Sequence, residues 1–207
     1  MLSLVALVVI ILLITLGGMI AIDSQFAIMQ KRSHALQGVG QELTNTLLLQ
    51  HTMYALRVNK FYQAKTESEK SELKAEAMSK WFTKAEIDAK NEYAYEEVRG
   101  KFGVSFFEAM DRQLNSTVAL NIKNFTIKIP RDDLVYDLNG FLIVCRIIAT
   151  IVLDDGFMLA PQLLSGTKYI KEITAERRSI TETWGKHSLT ITIPMKIEGD
   201  GKNFWID

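Results

Sequence analysis

The three histidines are the first residues to consider for chemistry, because imidazole is a common metal ligand and general base. They are His34, His51 and His187, and none lies at metal-ligand spacing from another histidine or from the single cysteine, Cys145. The first two fall in a stretch with helical periodicity, and the third falls at the start of a strand pattern. We therefore interpret all three as solvated or partly buried neutral imidazoles, and Cys145 as a small buried hydrophobe.

Carboxylates near predicted turns are the next residues that could do chemistry. Asp132, Asp133 and Asp137 flank one turn, and Asp154 and Asp155 another. The spaced carboxylates of a calcium-binding EF-hand are absent, and turns favour Asp in any case. No phosphate-binding, dinucleotide-binding, nucleophile-elbow or zinc-protease motif occurs. We therefore predict no catalytic residue, no cofactor and no metal. An enzyme would require carboxylates such as Asp132 and Asp154 to converge in one cleft.

The composition limits the partners of the chain. The 207 residues contain 24 Lys and Arg against 24 Asp and Glu, so there is no net charge to attract nucleic acid. One cysteine excludes an internal disulfide. The residues beyond the first 22 suffice for one domain with a core and a helical stalk.

An apolar run opens the chain, and everything else must be arranged around it. Residues 2–22 carry no charge, and only Ser3 and Thr15 are polar. At about 1.5 Å per residue, the run matches a bilayer core of roughly 30 Å. No basic residue precedes it, and it exceeds the apolar core of a signal peptide. We therefore predict that residues 1–22 form an uncleaved transmembrane anchor.

A second helical segment follows the anchor. Residues 23–64 predict an amphipathic stalk that continues the membrane helix, with Gly38 and Gly40 as the place where it is expected to kink. Its apolar stripe must be covered, either by the globular domain of the same chain or by another subunit. The stripe consists of Ile22, Phe26, Met29, Leu36, Val39, Leu43, Leu47, Tyr54, Val58 and Phe61.

Residues 65–116 form a charged helical region with three capping signals. Thr66 with Glu69, Thr83 with Glu86 and Ser105 with Glu108 each have capping-box spacing. The second signal predicts a single helix whose face ends near Gly100 or Gly103. That face comprises Ile87, Tyr93 or Ala94, Val98 and Phe102.

The hydrophobic period then changes from helix to strand. Alternation slips by one residue between Ile122 and Phe125, which predicts a β-bulge near Asn124. Asn139-Gly140 is a strong hairpin signal. The apolar run 141–153 predicts a central strand that is buried on most of both faces.

The last part of the chain continues the strand pattern. Residues 167–183 suit a helix or a strand, and we favour a strand because of their Thr and Ile content. Residues 188–197 alternate strictly, and Pro194 places that strand at an edge or at its end. Residues 117–207 are therefore the β-rich part of a single globular domain. The predicted fold is α+β: a transmembrane helix, an amphipathic stalk, and helices packed on a mainly antiparallel sheet.

The junction between anchor and stalk carries an acidic residue, a basic pair and a Leu-Gln step, at Ile22-Asp23, Lys31-Arg32 and Ala35-Leu36-Gln37. This order resembles the start of Tad pilus-assembly proteins of the TadE and TadG type, which are small bacterial envelope proteins similar to minor pilins. The resemblance covers roughly the first forty residues. It implies a role in envelope assembly with the globular domain outside the cytoplasm.

The leading functional hypothesis is a non-enzymatic, membrane-anchored assembly subunit of a pilus, secretion or conjugation-like machine. The alternative is a membrane-tethered module that binds a ligand or acts as a sensor or adaptor. In the leading hypothesis, residues 2–22 contact the membrane, and the stalk contacts other envelope subunits or a second copy. The predicted interaction residues are Phe26, Met29, Leu36, Val39, Leu43, Leu47, Trp184 and Trp205.

The predicted location is the bacterial inner membrane, crossed once. The resemblance places the C-terminal domain in the periplasm. Lys31 and Arg32 argue for the opposite orientation, because basic residues beside a membrane helix favour the cytoplasmic side.

Overall fold

The structure is a computed structural model, and it describes residues 2–115, 120, 122–153, 170–175, 178–183, 188–199 and 204–206. Within these ranges the structure defines the backbone alone at residues 2–4, 21–22, 25–26, 29, 170–175, 178–183, 199 and 204–206.

One long helix, α1 (Leu2–Gln63), joins the apolar N-terminal residues to the amphipathic segment. Its 62 residues span about 93 Å at 1.5 Å per residue. The helix is continuous through Gly38 and Gly40, where the sequence suggested a kink. Within the described residues, no helix combines the length and the hydropathy that a membrane crossing requires.

Four shorter helices and eight strands complete the described fold. The helices are α2 (Glu67–Ser79), α3 (Lys84–Ala89), α4 (Tyr95–Phe102) and α5 (Glu108–Leu114), with 3₁₀ turns at Val104–Phe107 and Arg131–Asp133. The strands are β1 (Glu92–Ala94), β2 (Ile122–Lys128), β3 (Val135–Tyr136), β4 (Leu142–Leu153), β5 (Ile170–Ala175), β6 (Arg178–Thr183), β7 (Ser188–Gly199) and β8 (Phe204–Ile206).

The strands form an antiparallel sheet in the order β1-β2-β4-β7-β6-β5. In addition, β3 pairs with β4, and β8 pairs with β7. Helices pack on one face of this sheet, and the shared core includes apolar residues of α1, β2, β4 and β7. The prediction of an α+β fold with helices on an antiparallel sheet is confirmed.

Local sequence signals correctly located the starts of two helices and a β-bulge. Thr83 and Glu86 form a reciprocal capping box at the start of α3, and the Thr66 hydroxyl accepts a hydrogen bond from the Glu69 N–H at the start of α2. The register between β2 and β4 shifts between Ile122 and Asn124, which confirms the predicted bulge.

Two helix predictions were wrong. The single helix predicted after Thr83 is interrupted by β1, which pairs with residues 126–128 of β2, and that long-range pairing leaves no local signal. The third capping box does not form, because Ser105 lies inside a 3₁₀ turn and no side chain caps α5. The helix end was predicted near Gly100 or Gly103, and Gly103, with φ of +100°, is the residue that ends α4.

Two strand predictions also need correction. β4 is buried on one face only: its other face is half-exposed, and the Arg146 side chain on it is 45% accessible, because the helices cover a single side of the sheet. β7 is not an edge strand, since it lies between β4 and β6. Among the described residues, the pairing with β6 ends at Thr192, two residues before Pro194, so the described part of β6 demands no N–H from the proline. Residues 167–183, where we favoured a strand, contain the two paired strands β5 and β6.

The docked half of α1 forms the centre of the core. Val39, Leu43, Leu47 and Val58 are fully buried against the rest of the chain. Gly40 lets the helix approach β7 closely, because a Cβ at this position would lie 2.7 Å from Leu189 Cδ2 and 2.8 Å from Ile191 Cδ1. A glycine that looked like a point of weakness therefore allows a close contact between helix and sheet.

Two glycine substitutions separate helix propensity from packing. Gly38→Ala should stabilise the fold by about 0.5–1 kcal/mol, because its added Cβ would only reach ordinary contact, 3.4 Å from Gln113 Oε1. Gly40→Ala gains the same propensity but overpacks the helix-sheet contact, so we expect it to be less stable than Gly38→Ala by about 1–3 kcal/mol. Urea unfolding of the full chain in mild detergent measures this difference, and equal stabilities would contradict the close packing at Gly40.

Candidate interaction surface

The N-terminal half of α1 projects away from the globular domain and exposes apolar side chains all around its circumference. Between Val5 and Ile20 every described side chain is exposed. The large apolar ones range from 48% accessible at Val9 to 68% at Ile14. No charged residue interrupts this segment. We call residues 5–20 the apolar arm.

The polar groups of the apolar arm are satisfied within the helix. The Thr15 hydroxyl is placed to donate to the carbonyl oxygens of Ile11 and Leu12, at 3.0 and 2.9 Å. An added Cβ at Gly17 or Gly18 would meet no atom of the described residues within 4 Å, and without side chains there the helix is thinner at this point. The arm therefore presents an apolar surface without an unpaired hydroxyl.

A polar collar separates the apolar arm from the docked half of the helix. Asp23, Lys31 and His34 are exposed, and so is Ile28, at 54%. Burial begins at Leu36, which is 2% accessible. We call residues 23–34 the collar, and it marks the change from an unpartnered helix to one covered by the chain's own sheet.

The structure places the predicted interaction residues in different environments. Leu36, Val39, Leu43 and Leu47 are at most 2% accessible and belong to the core of this chain. The stripe could be covered by the chain's own domain or by another subunit. The chain's own domain covers these four side chains, so they are not available to a second subunit.

The other predicted interaction residues cannot be placed in the same way. Phe26 and Met29 lie in the collar of α1, but their side chains fall outside the description. Trp205 lies in β8, and its side chain is also not among those described. Trp184 lies outside the described residues.

The third tryptophan, Trp81, is a structural residue that sequence reasoning did not single out. It is fully buried and stacks on Tyr54 of α1, with ring centroids 5.4 Å apart, while Phe102 lies 5.4 Å away. The Tyr54 hydroxyl accepts a hydrogen bond from the Leu142 N–H at 2.9 Å. This cluster ties α1 to the end of α2, to α4 and to β4. The sequence signal that could have indicated its burial is the aromatic pair Trp81-Phe82, which stands between polar residues.

A polar band crosses the buried side of α1. The Thr44 hydroxyl is placed to donate to the Gly40 carbonyl at 2.8 Å, whereas Gln50 Nε2 and His51 Nδ1 have no hydrogen-bond partner in the part of the chain that the structure describes. His51 is 1% accessible, and its ring lies 5.5 Å from that of Trp81. Burial lowers the pKa of His51 from 6.5 to about 4, so the imidazole is neutral at pH 7.

Two of the turn carboxylates, Asp133 and Asp137, have structural partners. Asp137 Oδ1 accepts hydrogen bonds from the N–H groups of Asn139 and Phe141, at 3.0 and 2.7 Å, and thereby holds the β3–β4 hairpin. Asp133 forms an ion pair with Arg146. Asp154, Asp155 and His187 lie outside the described residues. Among the residues that are described, no three His, Cys, Asp or Glu side chains converge as a metal site would require.

The neutral, buried state of His51 predicts a pH-dependent stability. The unfolded chain binds a proton near pH 6.5, but the folded chain does so only near pH 4, so the stability falls as the pH is lowered through this window. The full loss from His51 is about 3 kcal/mol. We expect His51→Gln to remove this part of the pH dependence and the exposed His34→Gln to retain it. Urea unfolding midpoints of both variants at pH 7, 5.5 and 4.5 test this. If the midpoint changed with pH equally in His51→Gln and His34→Gln, the prediction would be contradicted.

Comparison with known proteins does not assign this surface to a family. No protein-family model, curated protein or solved structure matches the chain.

Proposed function

We propose that this protein is a membrane-anchored assembly subunit of a bacterial envelope machine such as a pilus, secretion or conjugation-like system. In this proposal the apolar arm lies in the inner membrane, and the globular domain stands outside the cytoplasm and acts by contacts with other proteins. The observation that carries the proposal is the exposure of apolar side chains on every side of one half of α1, while the other half is buried in the domain.

The distribution of apolar residues favours lipid as the cover of the arm. A helix that packs on a protein partner needs one apolar stripe, whereas a helix surrounded by lipid is apolar all round. No helix of the described residues meets the requirements of a membrane crossing, so the length comparison rests on the sequence: the uncharged run 2–22 would give about 31 Å of helix, close to the roughly 30 Å of a bilayer core. Left in water, so large a contiguous apolar surface would promote aggregation.

The collar supports the membrane placement and an assembly role. Lys31 follows the apolar run by nine residues, or roughly 14 Å of helix, which is within reach of lipid headgroups for a long side chain. Asp23, Lys31 and Arg32 are also the residues that resemble the TadE and TadG type, and this resemblance supports a domain outside the cytoplasm. The positive-inside rule opposes that orientation.

Continuity of α1 gives the proposed assembly role a physical basis. Because the same helix serves as arm, collar and core, the position of the domain relative to the membrane is set by one stiff element. The domain would then be held at a defined height for contact with neighbouring subunits. Ile28 is the described apolar residue of the collar that is most suited to such a contact, since it is 54% accessible.

The alternative, a ligand-binding or sensory module, is favoured by a different observation. The globular domain carries a groove of about 410 Å³ at the end of α1, a size within the range of small-molecule sites.

Site-specific photo-crosslinking in membranes tests the assembly role. We expect p-benzoylphenylalanine at Ile28 to give a covalent adduct of one discrete mass, with another envelope subunit or a second copy, in a constant ratio between preparations. The matched control is Leu56, which is 56% accessible on the docked half of α1 and should give no such adduct. Equal, diffuse labelling from both positions, together with a metabolite that raises the Tm, would favour the sensory alternative.

A further inference from the structure

The groove of about 410 Å³ lies where three elements meet. The end of α1 forms one side, α2 forms the other, and the turn between β3 and β4 closes one end. It is lined by Phe61, Tyr62, Glu67, Lys70, Ser71, Lys74 and Asn139. All of these residues lie on the globular domain, away from the apolar arm.

The aromatic side of the groove is held rigidly. Phe61 packs edge-on against Phe141, with ring centroids 4.9 Å apart. The Tyr62 hydroxyl donates to an Asp137 carboxylate oxygen, and the Asn139 side-chain amide donates to the Tyr62 hydroxyl at 2.8 Å. Burial raises the pKa of Tyr62 to about 12, so the phenol stays protonated at neutral pH. These contacts pre-organise one wall and one end of the groove.

The α2 side of the groove is cationic. Lys70 and Lys74 are one helical turn apart on the same face, and both are half-buried, so their methylene stems lie along the groove. Glu67 Oε1 lies 2.8 Å from Lys70 Nζ and neutralises it. Among the described residues, Lys74 has no carboxylate partner. The groove therefore has one uncompensated positive charge.

We propose that this groove binds a ligand that carries a carboxylate next to a flat apolar group. The carboxylate pairs with the Lys74 ammonium and accepts a hydrogen bond from the Ser71 hydroxyl, and the apolar group lies against Tyr62 and the rim of Phe61. This inference goes beyond the assembly role and does not depend on the membrane placement, because every lining residue belongs to the domain.

The charge of the groove selects the class of ligand. A cation is disfavoured by the two ammonium groups. A phosphate dianion would be matched by an Arg fork or by several cations, whereas one unpaired Lys matches a single carboxylate. The same chemistry can come from a free organic acid or from an acidic residue beside an aromatic residue in a polypeptide.

Phenylacetate is the simplest probe of this site. We expect saturable shifts of the Ser71 and Asn139 amide signals in NMR spectra of the full chain in detergent, with binding that weakens as salt is added. Neutral phenylacetamide should bind at least tenfold more weakly. Lys74→Gln should weaken phenylacetate binding at least tenfold, whereas Lys80→Gln, an equal charge change at the exposed end of α2, should not.

Two further titrations make the outcome decisive. Glu67→Gln should tighten binding, because it frees Lys70 from its competing carboxylate. N-acetyl-Phe-Asp-amide separates the sources: tighter binding than phenylacetate assigns the site to a polypeptide, and weaker binding assigns it to a free acid. Binding of neither probe, equal binding of acid and amide, or an unchanged affinity in Lys74→Gln would overturn the proposal.

Discussion

The packing of one face of α1 on the inner face of the sheet is the interaction on which the rest of this structure depends. Gly40 brings the helix backbone close to Leu189 and Ile191 of β7, and the fully buried Leu43 and Leu47 continue the contact. Each such side chain contributes about 1.5–3 kcal/mol when it is fully buried. The helix also carries Tyr54, on which the Trp81 cluster is built, so the smaller helices and the sheet are connected through it.

The same packing explains the division of α1 into two environments. Burial begins at Leu36, and beyond the collar towards the N-terminus no other part of the described chain covers the helix. The polar band with Gln50 and His51 is buried although one nitrogen of each has no partner among the described residues, and each such unsatisfied group costs about 1–3 kcal/mol. The apolar contacts around this band offset that cost, and they keep the imidazole of His51 neutral. The apolar arm lacks any such cover among the described residues, which is why we propose lipid as its cover.

Much of this architecture was predictable from local patterns, and the exceptions have a common cause. The 3.6-residue stripe located the docked half of α1, a one-residue slip located the bulge near Asn124, and Asn139-Gly140 located a hairpin. The failures involve partners distant in sequence. The pairing of β1 with β2, and the end of the described β6–β7 pairing two residues before Pro194, depend on chain neighbours that no local period reports.

The candidate sites were less predictable than the fold. The stripe was correctly seen to need a cover, but periodicity cannot say whether that cover is the same chain or another one. The groove was not foreseen at all, because Tyr62, Lys74 and Asn139 come together only when α2 folds back on the end of α1 and the hairpin closes beside it.

Hydrogen–deuterium exchange of the full chain in lipid nanodiscs tests most directly whether α1 is covered by lipid at one end and by the sheet at the other. The account predicts slow exchange in residues 5–20 and in residues 36–61, with faster exchange in the collar between them. Slow exchange in residues 36–61 together with rapid exchange in residues 5–20, at the rate of a solvent-exposed helix, would contradict the membrane placement. Rapid exchange in both segments would contradict the docking of the helix itself.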